Sequence, residues 1–242
     1  KKTLFIVTGI ALAFAIGLFY IAKSNKQRII KVDPGFAKYI SGYTSGARSR
    51  IAPIEIEFAN PIPKSVTDEE LKKLFTIQPE AKVTVERLNS RVIQFTPSTA
   101  LKSDQLYTVS FELDEVQTVE NGFGNFEFQF STFPQSVSVQ ARHLLAYENT
   151  TPDLRFLNGT IVSADFADSA SLAKTISAKL DSKVLNVKML DYNGFNELDF
   201  RIDSVQRKES EGNLILKLDG TSVGTGDAGF ESIDVAALGN YI

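Results

Sequence analysis

The sequence predicts a mainly β protein in which an N-terminal transmembrane helix precedes two antiparallel β-sandwich domains. Three observations lead there. Thr3 to Ala22 is an uncharged apolar run, and at ~1.5 Å per residue a run of this length spans a ~30 Å hydrocarbon core. From Ile51 onward, apolar residues recur at every second position in short stretches, the period of a half-buried strand. Turn residues separate those stretches, and no helices of ten or more residues alternate with them, which disfavours a parallel nucleotide-binding sheet.

The boundaries implied are an anchor over 1–24, a connector over 25–50, a first sandwich over 51–134 and a second over 135–242, whose end at Tyr241-Ile242 reads as interrupted within an element. The anchor competes with a cleaved signal peptide, since Ala22-Lys23-Ser24 sets small residues at the positions a signal peptidase inspects. Signal cores run only ~7–15 apolar residues, which favours the anchor. Gly9, Ala13 and Gly17 recur at four-residue intervals, a small-residue face suited to packing against another membrane helix. Lys1 and Lys2 precede the run and Lys23, Lys26, Arg28 and Lys31 follow it, so flanking charge does not set its orientation.

In the connector, Phe36, Tyr39 and Tyr43 have the spacing of one helix face packed onto the first domain. Ile54, Ile56 and Phe58 alternate with Glu55 and Glu57 as a strand does. Thr67-Asp68-Glu69-Glu70 has the form of a capping box opening a short helix through Leu71 and Leu74. Strands are expected over 75–78, 82–87, 92–96, 107–114 and 125–133, punctuated by Pro79, Asn89-Ser90, Pro97 and Asn121-Gly122. The second series covers 154–162, 184–190, 198–205, 214–218 and 230–235, with a helix-like run of Leu172, Ile176 and Leu180 after Asp168-Ser169. Asp191-Tyr192-Asn193-Gly194 and Asp219-Gly220 are the expected hairpin connections.

Charge is nearly balanced, 26 Lys and Arg against 29 Asp and Glu, so no broad basic field attracts nucleic acid, which is not an expected partner. The absence of cysteine removes disulfides, thiolate metal sites and cysteine nucleophiles. His143 is the single histidine, and nothing in the sequence sets it in a triad or a metal site. Gly224-Thr225-Gly226-Asp227-Ala228-Gly229 matches a dinucleotide-loop string but is followed by a strand pattern instead of a helix, so it reads as a loop between strands. The acidic groups Asp68-Glu69-Glu70 and Glu209 with Glu211 read as solvated faces. Asp191 and Asn193 lack the oxygen-ligand spacing of a calcium loop. No catalytic, cofactor or metal residue is therefore expected.

Ile54-Glu55-Ile56-Glu57-Phe58, Phe95-Thr96-Pro97, Leu101-Lys102-Ser103-Asp104-Gln105-Leu106-Tyr107 and Phe128-Gln129-Phe130-Ser131-Thr132 together resemble a bacterial Ig-like domain of the S-layer-associated type. Asp33-Pro34-Gly35-Phe36 and Tyr39 to Gly46 before them, with Leu157-Asn158-Gly159-Thr160, Ala164-Asp165-Phe166-Ala167-Asp168, Phe200-Arg201-Ile202-Asp203 and Leu218-Asp219-Gly220 after them, are similar to the amino-terminal region of Bacteroidetes-type alpha-2-macroglobulin-family proteins. That resemblance implies an Ig-like first sandwich and a macroglobulin-like second one. The family's Cys-Gly-Glu-Gln thioester is absent from these residues, so covalent protease trapping is not assigned to them. Asp168-Ser169-Ala170 resembles the Bacteroidetes O-glycosylation signal and makes Ser169 a glycosylation site by resemblance.

The function expected is a non-enzymatic scaffold or presentation segment of an alpha-2-macroglobulin-like envelope protein, with protease inhibition or envelope defence belonging to the whole protein. An adhesin or carbohydrate-binding module and a structural subunit of a larger envelope membrane complex are the alternatives. The resemblance implies a place in the bacterial cell envelope, the domains lying outside the cytoplasm in the periplasm. Membrane lipid around the N-terminal helix and protein partners, either proteases or an envelope membrane complex, complete the expectation, without a cofactor.

Overall fold

A computed structural model describes residues 29–148 and 152–239. Among the described residues sixteen strands form four four-stranded sheets, two to each sandwich. In the first, β1 (Ile40–Tyr43), β3 (Ile54–Phe58), β6 (Val92–Pro97) and β5 (Val83–Arg87) lie side by side in the order β1-β3-β6-β5. The facing sheet holds β2 (Gly46–Arg48), β8 (Asn125–Thr132), β7 (Leu106–Glu112) and β4 (Phe75–Gln78) in the order β2-β8-β7-β4. All neighbours are antiparallel except β2 and β8, which run parallel.

Alternation explains why these segments are strands. In β3, Ile54, Ile56 and Phe58 are fully buried while Glu55 is exposed, so one face enters the core and the other meets solvent. Between β1 and β2 the chain changes sheets, because Thr44 ties itself to β3 through its N–H on Glu55 O (3.0 Å) and its hydroxyl accepting from Glu55 N (2.8 Å). Gly46 then adopts φ +73°, a left-handed conformation that costs glycine little. The second corner is set by Tyr107, 2% exposed, whose hydroxyl accepts the Lys102 N–H at 3.0 Å; its ring stacks on Phe130 at 5.4 Å. A tyrosine reaching back to the backbone upstream of its own strand is a recurrent lock of Ig-type sandwiches.

The second sandwich comprises β9 (Val137–Ala146), β10 (Leu154–Ser163), β14 (Glu197–Gln206) and β13 (Val187–Tyr192), in the order β13-β14-β10-β9. Opposite lie β11 (Ile176–Leu180), β12 (Lys183–Leu185), β15 (Gly212–Asp219) and β16 (Ala228–Val235), in the order β12-β11-β15-β16. Two separate clusters of buried residues result, one spanning Phe36 to Phe130 and the other Val137 to Val235.

One expectation is corrected. The predicted fold class required a transmembrane helix, yet among the described residues no helix is long and apolar enough to cross a membrane. The two α-helices described, Asp68–Leu74 and Ser169–Ala173, have 7 and 5 residues, about a third and a quarter of a bilayer's ~30 Å at ~1.5 Å per residue. The described fold is mainly β, with sandwich-like sheets. The run Thr3 to Ala22, and with it Gly9, Ala13 and Gly17, lies outside the described residues.

Smaller departures have local causes. Phe36 sits in a 3-10 helix, Pro34–Lys38, while Tyr43 is in a strand, so the aromatic spacing does not make one helix. Phe36 and Tyr39 still pack on the first core. Leu172 belongs to the helix Ser169–Ala173, but Ile176 and Leu180 belong to β11, where the period is two. Asp219 does close a hairpin, facing Ala228 at the end of the β15–β16 pair, but the connection is longer than a tight turn, and Asp219 also caps the 3-10 helix Gly220–Val223 within it by accepting from Thr221 N.

Candidate interdomain joint

Two of the most deeply buried polar residues described, Ser163 and Asp165, each 1% exposed, lie where the sandwiches join. Three segments arrive there: Ser49-Arg50, just beyond β2; Gln135-Ser136, entering β9; and Ala164-Asp165-Phe166, leaving β10. Asp165 is 1% exposed. Its Oδ1 accepts from the Ser49 hydroxyl at 2.6 Å and its Oδ2 from the Arg50 backbone N–H at 2.8 Å. A carboxylate of the second sandwich is thus solvated by the first, as a buried carboxylate must be by some donor.

Gln135 completes the clasp. Its Oε1 accepts the Asp165 N–H at 2.9 Å, and its Nε2 donates to the carbonyls of Asp165 and Phe166, both at 3.2 Å. Ser163 Oγ donates to the Asp165 carbonyl at 2.8 Å, and Ala164 N–H to Ser136 O at 2.9 Å. On the other side Arg50 is fixed to its own sandwich by Nε on Leu101 O and by Leu101 N–H on Arg50 O, each 2.8 Å. Both ends of the joint are therefore anchored in the sandwich that presents them.

Beside the clasp lies a cleft of 240 Å³, lined by Arg50 and Ala100 from the first sandwich and by Phe166, Asp168, Ser171 and Thr221 from the second. Asp168 caps the helix Ser169–Ala173; the Ser171 hydroxyl and N–H hold its carboxyl below the usual range. The arrangement positions two domains. Among the described residues no group of three or more His, Cys, Asp or Glu side chains is placed to hold a metal ion.

The residues singled out from sequence fall elsewhere. Ser169 is exposed, at the first turn of the helix capped by Asp168. His143 is exposed on β9. Glu70 closes the capping box on Thr67, and Glu209 and Glu211 are exposed. Asn193 Oδ1 accepts the N–H groups of Phe195, Asn196 and Glu197, so its oxygen holds a turn. Asp227, in the glycine-rich loop, accepts the Val137 N–H at 2.9 Å and ties that loop to β9. Sequence reasoning missed Ser49, Arg50, Gln135 and Asp165 as a unit because Arg50 and Asp165 are 115 residues apart. The available signal was an aspartate between Ala164 and Phe166, where a strand ends.

Residues 40–132 match the family model of the bacterial Ig-like domain. The first sandwich is a bacterial Ig-like domain. Its Tyr107 corner and its eight-residue closing strand β8 fall inside the matched residues. No curated protein sequence matches the chain. Among solved structures, similarity is found to an L,D-transpeptidase from Mycobacterium tuberculosis, at 12% identity and TM-score 0.32 over 66% of this chain and 61% of that one. L,D-transpeptidase 3 from the same organism gives 12% and 0.33 over 82% and 74%. The N-terminal part of a bacterial S-layer protein gives 13% and 0.26 over 81% and 43%. This chain thus spans about three fifths of the first of these, and at such scores the likenesses carry no functional argument.

Proposed function

We propose that the chain is a non-enzymatic scaffold: an Ig-like domain and a second sandwich, held at a fixed mutual angle, that serve as a stiff presentation arm in a bacterial envelope protein outside the cytoplasm. The resemblance of residues 135–242 to a macroglobulin-type sandwich supports the reading that this arm belongs to an alpha-2-macroglobulin-like protein, whose protease-directed or envelope-defence activity would belong to the whole molecule. Its partners are proteins, met on its surface.

The observation that carries the reading is Asp165. A flexible linker would leave this carboxylate in water, whereas here it is 1% exposed and both oxygens are satisfied by the other domain. Hydrogen bonds to a charged group contribute ~1.5–3 kcal/mol each, and stranding a buried partner costs more than was gained. Such a joint stiffens the arm and fixes where anything attached beyond it is held, which raises effective concentration without new contacts.

The chain has no cysteine, so spin labels can be placed by Glu86→Cys in the Ig-like domain and Lys183→Cys in the second sandwich, both exposed. A single narrow distance distribution by pulsed electron resonance is expected, broadening severalfold when Asp165→Ala is added. A distribution that is already broad with Asp165 intact would sink the scaffold reading.

A further inference from the structure

We propose that β16 is a self-association edge: two copies of this chain pair their β16 strands antiparallel about a two-fold axis at Ser232, joining two four-stranded sheets into one of eight.

β16 is the terminal strand of its sheet, eight residues long, and exposed from Ala228 to Ser232. An edge of that length offers unpaired N–H and C=O groups to another chain. Phe230 is 79% exposed. It borders a shallow hollow of 600 Å³ on the outward face of the sheet, together with Ile215, Lys217 and Lys179. Pairing across β15 and β16 sets Lys217 beside Phe230, Ile215 beside Ser232 and Asn213 beside Asp234.

Symmetry leaves few registers. Facing residues in an antiparallel pair share a face of the sheet, so in a two-fold pair some residue must face its own counterpart. With Glu231 on the axis, two carboxylates would oppose one another directly, which is destabilising. With Ile233 on the axis the two strands would overlap only over 231–235, and with Phe230 on it only over 228–232, whereas Ser232 on the axis pairs 229–235. With Ser232 on the axis, Phe230 faces the partner's Asp234, and that carboxylate enters the cross-strand row already formed by Lys217 and Phe230. The symmetry repeats this arrangement at the other end, so two rows of Lys217, Phe230 and Asp234 flank two small serines. Strand overlap and the avoided carboxylate pair thus select the register, and the Lys217 and Asp234 charges that it brings into one row, on either side of Phe230, favour a second copy as the occupant.

Because the chain has no cysteine, a thiol introduced at one position reports one contact. In the proposed register Ser232→Cys faces itself at a Cα separation of ~4.5–5.5 Å, inside the disulfide window. Glu231→Cys is displaced from its counterpart by two residues, about 8 Å away, outside that window. Under mild oxidation of the otherwise intact chain, Ser232→Cys should give a covalent dimer at least tenfold faster than Glu231→Cys.

In sedimentation equilibrium, Asp234→Lys should weaken dimerisation at least tenfold by setting it against Lys217, and Lys217→Asp combined with Asp234→Lys should restore it. A chain that stays monomeric at millimolar concentration would overturn the proposal. So would equal cross-linking at the two positions, a failure of the charge swap to rescue, or species larger than a dimer. All four sites are exposed, so these changes leave the fold intact. The outcome is also independent of the interdomain angle on which the scaffold reading depends.

Discussion

The Ig-like domain buries Phe58, Phe95, Phe111, Phe126 and Phe128 completely, whereas in the second sandwich Phe200 alone among the phenylalanines is fully buried, amid leucine, isoleucine and valine. The first core is a chain of ring contacts: Phe75 stacks on Phe95 at 3.9 Å, and Phe111 meets Phe58 and Phe95 edge-on at 5.7 and 6.3 Å. The second leans on polar clasps at its rim. Asp168, Asp181, Asp203 and Asp219 there are all held below the usual carboxylate range, while in the Ig-like domain only Glu70, among the described residues, is so held. The same two-sheet plan is thus filled by large rings in one unit and by aliphatic side chains in the other, to which hydrogen-bonded carboxylates are added at the rim.

The largest expected effect follows from the aromatic core. Phe95→Ala removes the ring shared by Phe75 and Phe111 and should destabilise the Ig-like domain by ~3–5 kcal/mol, the usual cost of such a truncation. Hydrogen exchange should show protection lost in β3, β6 and β7, with β10 and β14 retaining theirs. Equal loss in both units would mean that they unfold together, and the contrast between their cores would then say nothing about their separate stabilities.

Next in size is Gly159. A Cβ there would strike the Phe200 ring and come to 2.9 Å from Gln140 O, because β10 lies between β14 and β9 with Gly159 facing Phe200 and Ala141. Gly159→Ala should cost ~1–3 kcal/mol, typical of overpacking. Phe200→Leu in the same chain should recover part of that loss by clearing the ring. Thermal unfolding of the single and double variants measures it, and a harmless Gly159→Ala would show that the second core is slack where it is drawn tight.

These positions also show how much was legible. The strand 75–78 follows from alternation and turn residues alone with its observed bounds, and the alternating pattern from Ile51 contains the strand observed at 54–58; the capping box at Thr67 follows likewise, because each is settled within a few neighbouring residues. The switch at Ile176 was not legible: Leu172, Ile176 and Leu180 satisfy a helical spacing, and only pairing of β11 with β15, some forty residues on, makes the last two a strand. The joint was hidden for the same reason. Asp165 looks like any loop aspartate until Ser49 and Arg50 are brought to it.

A smaller effect is expected at that capping box. The Thr67 hydroxyl accepts from Glu70 N, and Glu70 Oε2 accepts from Thr67 N at 2.8 Å. Thr67→Ala should cost ~1 kcal/mol, the typical value of an N-cap. It should fray the helix Asp68–Leu74 and raise exchange at Glu70 and Leu71 while leaving β6 protected. Loss of protection throughout the Ig-like domain would make this short helix more central to its stability than a cap implies.

The smallest effect per group is acid sensitivity, and it tests the contrast most directly. Asp168 is depressed by the Ser171 hydroxyl, Asp219 by the Thr221 hydroxyl, and Asp181 by the Lys208 ammonium. For Asp203, burial pulls upward, but hydrogen bonds from Tyr147 and Arg201 outweigh it. A carboxyl depressed in the folded state adds stability that is fully present above its unfolded value, ~3.9, and is lost as pH falls through the folded value. These groups are largely solvated, so each contributes little and salt screens the paired ones. Four such groups in one unit against one in the other still give a direction. Between pH 5 and pH 2.5, hydrogen exchange should show the second sandwich losing protection before the Ig-like domain, and Asp203→Asn should narrow the gap. If the Ig-like domain loosens first, the carboxylate clasps are not what distinguishes the two units.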